Sequence, residues 1–250
     1  MATEAFGIDI GGSGAKGAIV DVSTGELISE RFKVPTPDPA TPDNLAASVV
    51  EILDHHGWDG PFGCGLPSVI VNGVVRTAAH IDDSWIGTNA VNLFTETTGH
   101  PAYVLNDTDA AGVAEVQLGA GKGVGGTIIL LTFGSGIGSA MFRDGILIPN
   151  SELGHLELNG REAEERGAAR AMERLGLTMG EWLDEVNAFL AHVEWILSPD
   201  LLIFGGGISK QADDFLPRLK SRAPLVATTF RNNAGIVGAA LAGHQALAAS

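Results

Sequence analysis

The chain has 250 residues and a formal net charge of −15 at pH 7, with 45% hydrophobic and 18% charged residues. This composition is typical of a globular protein and excludes a disordered one. The acidic charge disfavours non-specific binding to nucleic acid, the apolar runs are too short to cross a bilayer, and the N-terminus does not resemble a signal peptide. One cysteine, Cys64, excludes an internal disulfide. We therefore expect a cytoplasmic protein that binds neither nucleic acid nor membrane.

The first stretch of interest is "GIDIGGSGAKGAIVD" (7–21), in which Gly12, Gly14 and Gly17 spell the dinucleotide fingerprint G-x-G-x-x-G. That fingerprint requires a helix after its glycines, whereas the β-branched run "AIVDV" and the turn "STGEL" follow here. The sequence therefore predicts two strands joined by a Gly-rich turn. Backbone N–H groups of such a turn can bind phosphate oxygens, although a plain tight turn is the alternative.

Three further elements follow recognisable local signals. Thr41 and Pro42 predict a helix start, with Thr41 as N-cap and proline at the first helical position. Asn72 and Gly73 predict a hairpin turn. Thr178 and Glu181 predict a capping box at the start of a later helix.

The segment "VLNDTDAAG" (104–112) offers a carboxylate at the end of an apolar strand. Asp107 in that position suits a general base for a substrate hydroxyl. The alternative is structural, since Asp107 or Thr108 could cap the helix that follows. The residues alone leave both readings open.

The Gly-rich pattern recurs, because "GSGAKGAIV" (12–20) and "GSGIGSAMF" (134–142) share Gly, Ser, Gly and a later Ala at equal offsets. Each follows an apolar run and precedes a turn, which predicts a duplicated architecture, with chance similarity of two turns as the alternative. Helical patterns separate the strands, so we expect an α/β fold with two lobes and a cleft between them.

Two other segments carry candidate binding groups. In "ELGHLEL" (152–158), Glu152 and His155 could hold vicinal hydroxyls, and a solvated loop is the alternative. In "GGGISK" (205–210), three glycines between an apolar strand and a predicted helix could seat a phosphate, with Lys210 adding charge. A structural turn is the alternative there. The last stretch, 233–249, is rich in alanine and predicts a helix.

Seven segments in this order resemble the ROK family of sugar kinases, and within it the polyphosphate-dependent branch: "GIDIGGSGAKGAIVD", "SWIGTNA", "LNDTDAAG", "LTFGSGIGSA", "PNSELGHLE", "EAEER" and "FGGGISK". The resemblance implies an actin/hexokinase-like (ribonuclease H-like) duplicated fold. It implies a small lobe of residues 1–108, joined by a C-terminal helix at about 236–250, and a large lobe of residues 109–235. Other family members carry a Cys-rich zinc motif after the E-x-G-H segment. Here "REAEERGAARA" (161–171) has no cysteine, so no zinc site is expected.

The resemblance also implies the activity: phosphoryl transfer from polyphosphate, and from ATP, to the 6-hydroxyl of glucose, with mannose as a further acceptor. The alternative is an ATP-dependent kinase for another hexose such as mannose or fructose. A Mg²⁺ cofactor and a homodimer are expected. Asp107 would be the general base, and Asp9 would hold Mg²⁺ through water.

The remaining implied roles fall into two groups. The sugar would be bound by Asn89, Asn106, Asp107, Glu152, His155 and Glu157. The phosphoryl donor would be bound by Asp9, Gly11, Gly12, Ser13, Gly14, Lys16, Thr132, Gly134, Ser135, Gly136, Gly205, Gly206, Gly207 and Lys210. We further expect Lys16, Lys122, Arg143, Arg161 and Lys210 to be among the cations of one polyphosphate groove.

Overall fold

The computed structural model describes residues 4–79 and 81–248, and the backbone alone at Lys210. The chain forms two compact units. The first contains the described residues up to Ala114 and from Asn233 onward, and the second contains Glu115–Asn232. The resemblance implies lobe boundaries after Thr108 and near residue 235. The compact units divide instead after Ala114 and before Asn233.

Strands and helices are interspersed along the whole chain. They are β1 (Glu4–Gly11), β2 (Gly14–Asp21), β3 (Phe32–Val34), α1 (Pro42–His56), β4 (Phe62–Leu66), β5 (Ile70–Val71), β6 (Val74–Val75), α2 (Ala90–Thr98), β7 (Ala102–Asn106), α3 (Asp107–Gln117), β8 (Thr127–Phe133), β9 (Ile137–Arg143), β10 (Ile146–Ile148), β11 (Glu157–Leu158), β12 (Arg161–Glu162), α4 (Glu164–Gly167), α5 (Ala169–Leu175), α6 (Met179–Leu197), β13 (Leu201–Gly205), α7 (Ala212–Phe215), β14 (Leu225–Ala227) and α8 (Ala234–Ala248).

The first unit is built on a five-stranded sheet of order β3-β2-β1-β4-β7. Strands β1 to β3 are antiparallel neighbours, and β4 and β7 run parallel to β1. Helix α8 packs so closely on one face that a Cβ at Gly7 would overlap the Ile236 carbonyl oxygen. On the other face, α1 buries Leu45, Val49 and Ile52 in the main hydrophobic core of this unit. The unit is therefore a sheet covered by helices on both faces.

The second unit repeats this plan with a five-stranded sheet of order β10-β9-β8-β13-β14. Again three antiparallel strands are followed by two parallel ones. Its core joins the sheet to α6 through Phe133, Trp182 and Phe189, whose rings meet edge to face. The α/β class and the duplicated architecture predicted from the two Gly-rich stretches are confirmed.

The local signals in the sequence produce the elements they predict. Both Gly-rich stretches join antiparallel strands, which excludes the dinucleotide-binding arrangement. Thr41 caps α1, and Thr178 with Glu181 forms a capping box on α6. Asn72 and Gly73 turn the hairpin β5–β6 with positive φ angles of 52° and 77°. The alanine-rich stretch forms α8 as far as Ala248.

Two predictions about helix starts are corrected. The three glycines at 205–207 lead into a 3₁₀ helix, Gly207–Gln211, and then the four-residue α7, so no long helix points its N-terminus at this turn. At the start of α3, a residue that the sequence analysis did not consider caps the helix. The Asn106 side chain takes that role, since its Oδ1 accepts hydrogen bonds from the backbone N–H groups of Thr108 (2.8 Å) and Asp109 (3.0 Å).

Among residues 4–79 and 81–248, none of the helices combines the length and apolar character that a bilayer crossing requires.

Candidate active site

The first Gly-rich turn connects β1 to β2 through Gly12 and Ser13, with Gly11 paired to Gly14. Both residues of the turn are exposed, and a Cβ at Gly12 would meet no atom within 4 Å. The turn therefore presents its backbone to solvent, as a phosphate-binding turn must.

Asp9 precedes this turn on β1 and Lys16 follows it on β2, and the two residues are directly opposite each other. Lys16 Nζ donates to Asp9 Oδ2 at 2.9 Å, and both side chains are mostly buried. Because burial limits screening by water, the two charges hold each other in a fixed orientation.

Helix α8 begins against Asp9. An added Cβ at Gly235 would lie 2.6 Å from the Asp9 Cγ, so only glycine leaves the carboxylate its present position. A carboxylate oxygen is the donor that Mg²⁺ prefers, and one carboxylate suits an ion that keeps most of its water. The residues present therefore fit the expected magnesium site at Asp9.

Asp107 is the first residue of α3, at the carboxyl end of β7, and its side chain is half-buried. Asn106 is buried and has structural partners: besides capping α3, its Nδ2 donates to the Ser68 carbonyl oxygen at 3.2 Å. A Cβ at Gly65 on the neighbouring strand β4 would lie 3.2 Å from the Asp107 Cα. The backbone of Asp107 is therefore fixed by a cap on one side and a close strand on the other.

In the second unit, the turn between β8 and β9 contains Gly134, Ser135 and Gly136, closed by a hydrogen bond from Gly134 N to Gly136 O of 3.0 Å. Gly206 packs directly on the end of β8, the strand that leads into this turn. Its φ is +88°, and a Cβ there would overlap the Phe133 backbone, including the nitrogen at 2.5 Å. Gly205 pairs with Thr132 across β13 and β8. The structure thus brings the predicted residues of 132–136 and 205–207 together.

The E-x-G-H loop forms a 3₁₀ helix, Leu153–His155, which lies against the second turn. The His155 Nε2 is 3.9 Å from Glu152 Oε2, and its Nδ1 is 2.9 Å from Glu162 Oε2. The hydrogen bond to Glu162 raises the pKa of His155, although partial burial opposes the shift. Burial raises the pKa of Glu152, with His155 opposing and Glu164 adding to that shift. Glu152 and His155 therefore form one coupled donor–acceptor pair.

The segment that carries Glu162 is attached to α6 by ion pairs of its neighbours. Its strand β12 also carries Arg161, which pairs with Glu185 of α6 at 3.2 Å, and Arg166 pairs with the same carboxylate at 2.6 Å. These contacts attach the β11–β12 hairpin to α6, so Glu162 approaches His155 from a fixed support.

His155, Glu162 and Glu164 each offer a ligand atom within 4.8 Å of the others. All three groups are already engaged, because His155 and Glu162 are hydrogen-bonded to each other and Glu164 accepts from the Ile137 N–H at 3.0 Å. The expected absence of zinc stays a prediction.

Other predicted residues have structural partners of their own. The Asn89 side chain caps α2 by accepting from Asn92 N at 3.0 Å. Glu157 is exposed on β11, opposite Glu162. Arg143 pairs with Asp144 at 3.2 Å and Arg161 with Glu185 at 3.2 Å, and their place in a cationic groove stays a prediction. The Lys210 side chain lies outside the described residues.

Sequence reasoning missed Glu162, Gly235 and Lys33, which the structure places beside His155, Asp9 and the first turn. The i, i+2 alternation of "RFKV" could have placed Lys33 on one face of a strand. No local signal indicates that Gly235 meets Asp9, because that approach depends on how α8 docks.

Comparison with known proteins identifies the family. The model of the ROK family matches residues 5–169. A polyphosphate glucokinase of Mycobacterium tuberculosis is 52% identical over 95% of this chain and 90% of its own length. The polyphosphate glucokinase of Mycobacterium leprae is 50% identical over 95% of this chain and 74% of its own.

Solved structures agree. The inorganic polyphosphate/ATP-glucomannokinase of Arthrobacter sp. strain KM superposes with a TM-score of 0.94 and 47% identity, covering 98% of this chain and 99% of its own. A ROK family glucokinase from Streptomyces griseus shares the fold with a TM-score of 0.83 at 23% identity, covering 97% of this chain and 100% of its own. The fold is therefore the actin/hexokinase-like fold, and the chain belongs to the ROK family.

Proposed function

We propose that this protein transfers a phosphoryl group from inorganic polyphosphate, and also from ATP, to the 6-hydroxyl of glucose. The observation that carries the proposal is the similarity of 47–52% identity, over at least 95% of the chain, to enzymes named for these donors and this sugar. The word glucomannokinase in the name of the Arthrobacter relative favours mannose as a second acceptor.

Asp107 is the general base in this proposal. A carboxylate that accepts the 6-hydroxyl proton makes that oxygen a better nucleophile toward phosphorus. The structure supports this assignment in one respect: Asp107 follows a strand directly, at the start of a helix that the Asn106 side chain caps. Gly65 and the cap fix the backbone of Asp107, which limits the positions its carboxylate can take.

The donor is bound by the two Gly-rich turns, by Gly205–Gly207 and by Lys16. Backbone N–H groups at the turns donate to phosphate oxygens without steric hindrance from a side chain. A Mg²⁺ ion, when bound at Asp9, supplies charge neutralisation to the phosphates. The Lys16 ion pair holds the Asp9 carboxylate in place for that purpose.

Glu152 and His155 bind the sugar hydroxyls. The raised pKa of His155 favours the imidazolium form, which donates, and Glu152 accepts when it is ionised. We propose that the sugar is also bound by Asn89, Asn106 and Glu157. Each would use polar atoms that are not taken up by the structural hydrogen bonds described above. We further propose a homodimer in the cytoplasm, with functional lobes divided near residues 108 and 235.

The test is a coupled assay of purified protein with glucose and Mg²⁺, given polyphosphate or ATP separately. We expect glucose 6-phosphate from both donors. Asp107→Asn, which keeps the shape but not the basicity, should lower kcat by about 10²-fold or more.

Asp54→Asn is the matched control, since Asp54 is an exposed aspartate on α1. Turnover of folded Asp107→Asn protein at the level of the control would defeat the assignment of the base. Failure of the unaltered protein with both donors would defeat the proposed function.

A further inference from the structure

The register of the first sheet places three charged residues in one row. Asp9 on β1 is directly opposite Lys16 on β2, and Lys16 is directly opposite Lys33 on β3. Residues directly opposite in adjacent strands share a face of the sheet, so the row runs from Asp9 outward to the sheet edge.

Lys33 lies over the first Gly-rich turn. Its stem occupies the space that a side chain at Gly14 would fill, and its Nζ is 3.5 Å from Ser13 Oγ. Just beyond β3, Thr36 Oγ1 donates to the Gly11 carbonyl oxygen at 2.7 Å. The strand that carries Lys33 is therefore fixed to the turn that is proposed to bind phosphate.

The charges of this row do not balance. Two lysines directly opposite each other repel, and Asp9 neutralises Lys16 but not Lys33. Arg31 lies two residues earlier, just before β3, and donates to Asn233 Oδ1 at 3.2 Å. Neither Arg31 nor Lys33 has an ion-pair partner within residues 4–79 and 81–248. Arg31 and Lys33 are therefore two exposed cations within three residues, beside the first Gly-rich turn.

We propose that Arg31, just before β3, and Lys33 on β3, which together we call the β3 cations, bind phosphates of a polyphosphate chain beyond the first three. This inference rests on the proposed function and names where the donor continues. Because the two cations are two residues apart and both exposed, they can contact an extended polyanion at successive points. ATP has adenosine after its third phosphate, so it makes less use of them.

The test compares KM for tripolyphosphate with KM for long-chain polyphosphate, at saturating glucose. The proteins are the unaltered enzyme, Lys33→Gln, and the double variant Arg31→Gln with Lys33→Gln. We expect the KM for long chains to rise about fivefold in the single variant and about tenfold or more in the double variant. For tripolyphosphate we expect a rise of at most about twofold. Added salt should then raise the KM for long chains less steeply than in the unaltered enzyme.

Lys220→Gln is the matched control, because Lys220 is also exposed and the same charge is removed. Unchanged KM values in the double variant, an equal rise with both chain lengths, or an equal rise in the control would overturn the inference and leave the proposed function standing. An unaltered enzyme that uses ATP and never polyphosphate would overturn the proposed donor together with this inference.

Discussion

The two Gly-rich turns share a sequence pattern and a strand order but differ in chemistry. Asp9 and Lys16 flank the first turn, and the equivalent positions around the second turn hold Leu131 and Gly138. Leu131 is buried, so the second turn lacks a charged pair in that place. It is instead packed against other groups: Gly206 approaches the Phe133 backbone, and the Glu164 carboxylate fills the space beside Gly136.

This difference shows which features a duplicated motif preserves. The glycines and the strand order set the path of the backbone in both units, and the side chains around each turn then take separate tasks. We assign charge to the first turn and close backbone packing to the second. One substitution that only removes a charge and another that only adds volume can therefore test the roles of the two turns separately.

The largest effect on activity in this comparison is expected at the charged pair. Asp9→Asn removes the carboxylate that pairs with Lys16 and is proposed to hold Mg²⁺, so kcat should fall by about 10²-fold or more. The free energy of unfolding should fall by about 1–3 kcal/mol, because Lys16 loses its partner in a mostly buried ion pair. Steady-state kinetics and urea unfolding measure the two quantities. Normal turnover would remove the chemical distinction between the turns.

The close packing around the second turn can be tested by adding a methyl group. Gly206→Ala places a methyl group on the Phe133 backbone at a φ of +88°, so we expect a loss of about 2–4 kcal/mol in the free energy of unfolding. Gly134→Ala is the control for stability, because a Cβ there meets no atom within 4 Å. Equal unfolding midpoints in urea for the two variants would contradict close packing at Gly206.

The smallest effect concerns His155, which lies beside the second turn. Glu162→Gln removes the negative charge of the carboxylate that accepts a hydrogen bond from His155 Nδ1 and raises the pKa of that ring, so the pKa of His155 should fall toward its ordinary value. Because a raised pKa keeps the imidazolium present to higher pH, glucose affinity in the variant should decline at a lower pH than in the unaltered protein. NMR titration of the imidazole measures the shift directly.

Glu173→Gln serves as the comparison for that titration, since Glu173 is exposed on α5 and the charge change is the same. An unmoved His155 titration in Glu162→Gln would mean that the carboxylate does not set the protonation of the ring.

Much of the fold could be predicted because its signals are local. Thr41 with Pro42, Thr178 with Glu181, and Asn72 with Gly73 act within one turn of the chain, and each forms the element expected. The prediction of one helix after Gly206 is wrong, because a run of glycines sets the turn and leaves the length of the next helix open. At Asn106 the error is one residue: several polar residues in a row could cap α3, and geometry selects among them.

The candidate site was less accessible from the sequence, because its contacts join distant segments. Glu162 contacts His155 from a segment that Arg161 and Arg166 attach to Glu185 of α6, far along the chain. Gly235 meets Asp9 through the docking of α8, about which an alanine-rich stretch says nothing. The activity itself came from resemblance, since the residues alone left each motif with a structural alternative.

Strand β3 ends the first sheet and carries Lys33 on its edge. A lysine on an edge strand discourages pairing with another chain, because pairing would bury its charge. Lys33 thus protects the protein from aggregation whether or not a donor is bound. Samples in which this lysine is neutralised should be checked by light scattering at the protein concentration of the assay, because self-association could otherwise pass for weakened binding.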